Sequence, residues 1–357
     1  MYYKNVLDKG GGIFKALIII SAAAALTVSS QSCKEGVTNG IELCLGVLIP
    51  SLFPFMALSA LAVKCGVCRR RFKPFDFITK KLFGLSGAFA PIILLSFIGG
   101  YPVGAKGIAE LRSSGAVSEK QAKKAAMFAV CAGPGFLINY VGSSLYGNAA
   151  VGAIILCAQV ISVIILGIAI NLFDRDKEDY NSEIELKNEP VSLSSAIVES
   201  TYSALRGMAQ ICGLVLLFSA ATGIIKSVLG DSEAMNIWNI CAEVCSAVNV
   251  SASKYPLEIT AFAVGFGGIC VHFQIFSALG NIKINKAIFF FYRILQGFLT
   301  AVLTKLLSMA FLKETAVFSS GEISAAELFG GSILSAAALT GAAICFLFTL
   351  KNYNFRR

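Results

Sequence analysis

Long apolar blocks separated by short polar breaks run through the whole chain. Block length is more informative here than a period of 3.6 or 2 residues, because a helix needs about 20 apolar residues to cross a hydrocarbon core. Blocks at 13–28, 41–63, 125–145, 149–173, 207–229, 287–312 and 328–350 each read as a crossing. The first also fits the apolar region of a signal peptide, but the many spans after it favour an uncleaved helix. Residues 31–40 form a polar turn, and 191–206 alternates polar and apolar positions as a helix lying at the interface would. Residues 237–250, with Glu243 and Asn249, are short and polar for a crossing. The block 82–111 is too short for two crossings, yet its flanks are both basic: Lys64, Arg69, Arg70, Arg71, Lys73, Lys80 and Lys81 before it, Arg112, Lys120, Lys123 and Lys124 after it. Lys and Arg mark cytoplasmic loops, so this block is expected to enter and leave on one side as a re-entrant hairpin. A second hairpin is expected over 255–280. The fold class is an all-α polytopic membrane protein of about eight transmembrane helices plus two re-entrant hairpins.

The breaks inside the blocks suggest an internal repeat. FIGGYPVGAKGIAEL, Phe97 to Leu111, is interrupted at Gly99-Gly100 and Pro102, and returns as FGGICVHFQIFSAL, Phe266 to Leu279, the two aligning without a gap from Gly99 and Gly267 to Leu111 and Leu279 at a constant offset of 168 residues. Glycine- and proline-broken segments in corresponding positions of two halves point to a transporter site. The organisation expected is an N-terminal membrane helix 1–40, a first repeat 41–173 with its hairpin at 82–111, a polar linker and interfacial helix 174–206, a second repeat 207–350 with its hairpin at 255–280, and a basic tail 351–357. Inverted repeats require an odd number of crossings between the hairpins. The number is three if 237–250 stays at the interface or merges with a neighbour and four if it crosses, and the basic tail favours the even count. Pro50 and Pro54 predict a kink in 41–63, and Gly133-Pro134-Gly135 either unwinds 125–145 or kinks it for packing.

Composition narrows the partners. The chain is 56% hydrophobic and 14% charged, with mean hydropathy +0.74, against about 45–50% and 25% in soluble domains. Much of its net charge of +9 flanks apolar blocks, where it meets anionic lipid; nucleic acid is not expected. Most of the eleven cysteines lie inside apolar blocks, and the one CxxC, Cys65 and Cys68, has no second half to complete a metal set. No cofactor or metal is expected. An enzyme is not expected either, since no nucleophile and base stand at a recognisable spacing.

Ionisable groups within apolar blocks are functional candidates, because a charge there costs roughly 2.5–3.5 kcal/mol on insertion scales. Lys106 follows Pro102 by four positions, His272 follows Gly268 by four, and Gln274 occupies the repeat position of Lys106. Arg293 and Gln296 lie in the following block. With Gly99, Gly100, Tyr101, Pro102, Gly133, Pro134, Gly267 and Gly268 they form a candidate substrate site rich in cations and donors, suited to a carboxylate. Each charged member has a structural alternative. Lys106 snorkels to the surface, His272 packs, or Arg293 bridges to Glu243 or Glu110.

GYPVGAK followed by AELR, PSLFPF in the preceding span, the GP-broken helix and GFGGICVHFQ resemble the sporulation integral membrane proteins of the YlbJ type, over roughly residues 40 to 310. The resemblance implies a nucleoside-recognition gate domain and a two-repeat, inverted fold similar to concentrative nucleoside transporters. It also implies movement of dipicolinic acid across the outer forespore membrane of a spore-forming bacterium. Nucleoside transporters carry acids at their hairpin tips, and neither GGYPVG nor GGICVHF has one. The expected function is transport of a small organic anion, with a nucleoside-type transporter or a non-transporting scaffold as the alternatives. The expected partners are that substrate, the lipid bilayer and further copies of the chain in a homo-oligomer.

Overall fold

The computed structural model describes residues 16–17, 19–65, 73–174 and 192–312. The loop residues Arg69 to Arg71, Cys68, most of the linker 174–191, the block 328–350 and the tail 351–357 lie outside the described residues. Among the described residues all regular structure is helical, and five helical stretches are long and apolar enough to cross a membrane. The protein is a polytopic membrane protein.

After α1 (Ile19–Val28), helix α2 runs over Ser30–Lys64, so the turn expected at 31–40 is helical. The ladder persists because nothing in 31–40 removes a backbone donor; Ser29 and Cys33 both keep their i−4 bonds at 2.9 Å. Five residues, Cys44–Leu48, widen into a π-type turn just before Pro50. A wide turn there relieves the clash between a proline ring and the preceding carbonyls. Helix α3 (Lys73–Phe83) precedes α4 (Phe89–Gly99) and α5 (Tyr101–Ser113), which pack against each other as a hairpin with Gly100 at its tip. Gly100 has φ +83°, a left-handed conformation suited to glycine.

Helix α6 (Glu119–Ala126) stops, the chain is irregular over 127–133, and α7 (Gly135–Leu145) resumes with π-type pairing. Helix α8 (Ala149–Phe173) follows. Helix α9 spans Leu193–Leu229 without a break, where a separate interfacial helix was expected up to Arg206. The chain has no proline between 193 and 229, so the helix continues. Of the polar positions that suggested an interface, Glu199, Tyr202, Ser203 and Arg206 line a cleft instead. At about 1.5 Å per residue, its 37 residues exceed a hydrocarbon core of about 30 Å.

The second fold-back is not at 255–280. Helices α10 (Glu233–Ala242) and α11 (Val244–Lys254) pack along each other as a hairpin tipped by Glu243. Its mouth is tied by Lys254 to Asn236 at 3.2 Å and by the Tyr255 hydroxyl donating to Glu233 at 2.5 Å, which holds the Glu233 carboxyl below the usual carboxylate range. Helices α12 (Leu257–Phe266) and α13 (Gly268–Leu279) instead follow each other as one span broken at Gly267, before α14 (Lys286–Phe311). Segment 237–250 thus belongs to the hairpin, and the 168-residue offset aligned a hairpin tip with a helix break.

Ion pairs fix which helix ends lie together. Lys64, ending α2, is 2.7 Å from Glu199 near the start of α9, and Lys124 of α6 is 3.0 Å from Asp174, just past α8. At the opposite end, Lys305 of α14 is 3.7 Å from Glu258, opening α12. The α4–α5 hairpin therefore enters from the end carrying Lys64 and Lys124, and the α10–α11 hairpin from the other. Both tips stop inside the bundle. Helix α2 packs on α9, and α8 on α14.

Candidate functional site

Each hairpin tip lies against a helix break. A Cβ placed on Gly100 would lie 3.4 Å from the Gly133 nitrogen, and one on Gly268 would lie 3.2 Å from the Glu243 Cα. The two tips and the first break line one central cavity of about 30 Å³, together with Leu48 and Leu52 of α2, Ile211 and Val215 of α9, and Val271 and Gln274 of α13 beyond the second break. Of the residues expected at a site, Gly100, Tyr101, Pro102, Gly133 and Gln274 line this cavity; Gly99 and Pro134 adjoin them in sequence.

A broken helix leaves carbonyls without intrahelical donors, and inside a bundle these must be satisfied by protein groups. At the end of α12 the donors are the residues that looked like substrate ligands. Arg293, fully buried, donates from Nε to the Phe266 carbonyl at 3.2 Å and from its terminal nitrogens to the carbonyls of Gly265 at 2.6 Å and Val130 at 2.7 Å, and to Gln296 Oε1 at 2.7 Å. Val130 belongs to the unwound stretch after α6, so one guanidinium joins both breaks. A cation is favourable at helix C-termini, where the backbone dipoles end negative. Tyr101 places its ring 5.7 Å from the guanidinium and donates its hydroxyl to the Val264 carbonyl at 2.5 Å. The first break is further held by Ser96, which donates to the Ala129 carbonyl at 3.0 Å.

His272 does not face the cavity. Its Nε2 donates to the Phe266 carbonyl at 2.9 Å, and its ring meets Phe266, Phe289 and Phe290 edge-on at 4.6–5.4 Å between centroids. The bridge from Arg293 to Glu243 or Glu110 is not formed either, since the guanidinium is committed to carbonyls. Gln296 orients Arg293.

Lys106 lies elsewhere, in a cleft of about 790 Å³ between α2, α5, α9 and α13. Its ammonium donates to the Ser203 hydroxyl. Lys64, Arg206, Glu110, Glu199, Tyr202 and Gln210 also line this cleft, and Arg206 covers the Tyr202 ring at 4.3 Å. Pro102, Ile211 and Gln274 line both the cleft and the central cavity, so the two adjoin.

Sequence reasoning missed Glu243. It is only 3% exposed, lines the central cavity and caps α11 by accepting from the Ser246 amide at 2.8 Å. A carboxylate in the middle of the short segment 237–250, between apolar blocks, was the available signal. Placing the second tip at Gly267 hid its meaning. Among the described residues, no group of three or more His, Cys, Asp or Glu side chains is arranged to hold a metal ion.

No family model matches the chain, so the expected nucleoside-recognition domain gains no support there, and no solved structure matches it. Over 343 aligned residues, 84% of each chain, the sequence is 22% identical to the sporulation integral membrane protein YlbJ of Bacillus subtilis (strain 168). The chain is a relative of the YlbJ-type sporulation integral membrane proteins.

Proposed function

We propose that the protein is a transporter of a small organic anion, working by movement of two hairpin-bearing units in opposite orientation around the central cavity. The carrying observation is the meeting of both hairpin tips and the first helix break on one cavity, with the second break packed against the Glu243 tip, and this cavity adjoins a cleft open to the basic end. Irregular backbone at mid-bundle is costly in a membrane unless it lines a path or is buried in protein, and paired breaks of this kind mark transporter sites. Three crossings separate the hairpins on this reading: the broken helix α6–α7, α8 and α9. That odd number gives inverted units, α2 to α8 and α9 to α14. The eight-helix count belongs to the same proposal.

An anion is favoured by helix polarity. The N-termini of α5 and α7 begin at the cavity with no side-chain cap on their first amides, and such ends carry partial positive charge. The cleft adds Lys64, Lys106 and Arg206 against Glu110 and Glu199. Drug-sized ligands occupy about 300–1,000 Å³. The cleft meets that size and the central cavity does not, so substrate reaches the centre only when a hairpin tip withdraws. This supports alternating access with the cleft as the entry chamber.

The relative's printed name places YlbJ among sporulation membrane proteins. Carried to this chain, it supports a role in sporulation as a membrane protein; dipicolinic acid as substrate, the outer forespore membrane as its place and the lack of enzyme activity are part of the proposal. The test is thermal stabilisation of the detergent-purified chain by dipicolinate, with uridine and a simple aliphatic dicarboxylate beside it. A ligand held by the folded state alone adds about 2.7 kcal/mol at a hundredfold excess over Kd. Stabilisation by dipicolinate alone supports the proposal. Stabilisation by uridine alone replaces it with a nucleoside site, for which Glu243 offers a hydroxyl acceptor. No shift with any of the three in folded protein favours a scaffold.

A further inference from the structure

Glu243 is a carboxyl group without a counter-charge at the centre of a membrane bundle. No ion pair among the described residues includes it. The fixed cation nearby in the breaks, Arg293, is turned onto the carbonyls of Val130, Gly265 and Phe266. The donors to Glu243 are all neutral and come from its own hairpin tip: the Ser246 amide at 2.8 Å, the Cys245 amide and the side chains of the same two residues. The titratable groups that face it from the surrounding elements are Cys44 on α2, Tyr140 on α7, Cys245 on α11 itself and Cys270 on α13, all neutral at physiological pH in their ordinary state. A carboxylate without a counter-charge is disfavoured in such surroundings, and an anion placed beside it disfavours its charge further. Glu243 also lines the cavity where the uncapped N-termini of α5 and α7 lie, so its charge opposes the anion those ends favour.

We propose that Glu243 is the proton site of this protein: its carboxylate takes up a proton when the anion enters the central cavity and releases it when the anion leaves, so that proton and anion move together. The inference rests on the transport reading above. Chemically the step is protonation of one carboxylate oxygen by solvent through the cleft, with no redox change. A dianion and a single proton then occupy the cavity together. Because the carboxylate caps α11, its protonation also weakens the tie to the Ser246 amide at the hairpin tip. The proton and the tip that must withdraw are thereby linked through one residue.

The experiment is calorimetric titration of the purified full chain with dipicolinate between about pH 6 and 9, above the titration of ordinary carboxyl groups. It is repeated in buffers of different ionisation enthalpy, so that protons taken up are counted. The wild type is expected to take up close to one proton per dipicolinate, with Kd rising towards the limit of about tenfold per pH unit for a single linked proton. Glu243→Gln, a fixed stand-in for the protonated form, is expected to bind across the range with a flat profile and no uptake. Glu243→Asp is expected to keep the uptake and move the profile, which covers the case in which Glu243→Gln does not fold. A wild type that binds dipicolinate with no proton uptake and a flat profile overturns the proton site and leaves the transport reading standing. So does a Glu243→Gln or Glu243→Asp variant with the profile of the wild type. A folded wild type that binds no dipicolinate at any pH removes the reading itself, and the proton site with it.

Discussion

Arg293→Met removes the donor that satisfies both helix breaks while keeping an unbranched apolar side chain in its place. The Phe266 carbonyl retains His272, but the carbonyls of Val130 and Gly265 and the Oε1 of Gln296 lose the guanidinium. A buried polar group left without a partner costs about 1–3 kcal/mol, so three of them suggest about 3–9 kcal/mol. Removing the guanidinium also removes the cost of burying its charge, which places the expectation at about 3–5 kcal/mol, the range for breaking one side of a buried charged network. Arg293→Lys keeps the charge but not the planar fork of donors, and is expected to cost roughly half as much. The assay is reversible unfolding in mixed micelles, followed by fluorescence of the single tryptophan, Trp238, whose indole nitrogen bonds Thr222 across α10 and α9 at 3.0 Å. An Arg293→Met variant within about 0.5 kcal/mol of the wild type would refute the clamp. A variant of normal stability that loses stabilisation by dipicolinate would return Arg293 to the substrate.

Two further outcomes follow from the same geometry. Gly268→Ala forces a side chain onto φ +74° and against the Glu243 backbone at 3.2 Å, so it is expected to cost about 1–3 kcal/mol in the same unfolding assay; an unchanged midpoint would mean that tip and break are not in firm contact. Lys106→Ala removes a cation from the cleft but touches neither break, so stability should hold within about 0.5 kcal/mol while anion uptake weakens most at low salt. Equal loss at low and high salt would place Lys106 in direct contact with the substrate.

Much of the class was legible in the chain. Block length fixed a polytopic helical membrane protein, because the hydrocarbon thickness sets the length of a crossing whatever the packing. Gly100, Pro102, Gly133 and Gly267 marked real interruptions, since glycine and proline act on their own backbone and need no partner to do so. Charge at Lys64, Lys120 and Lys124 likewise marked one end of the bundle without knowledge of the fold.

What joined to what was decided only in three dimensions. An apolar run broken by glycine reads alike whether the chain folds back, as at Gly100, or continues as a broken span, as at Gly267. Only the packing of α4 on α5 and of α10 on α11 distinguishes them. That ambiguity put the second tip at the wrong place and left Glu243 outside the site. Polar side chains carried the same uncertainty: Arg293 and His272 looked like ligands because donors in apolar sequence must meet acceptors, and the sequence does not say whether those acceptors are substrate or backbone. In the folded protein they are the open carbonyls of α12, groups that exist only because the helix breaks where it does.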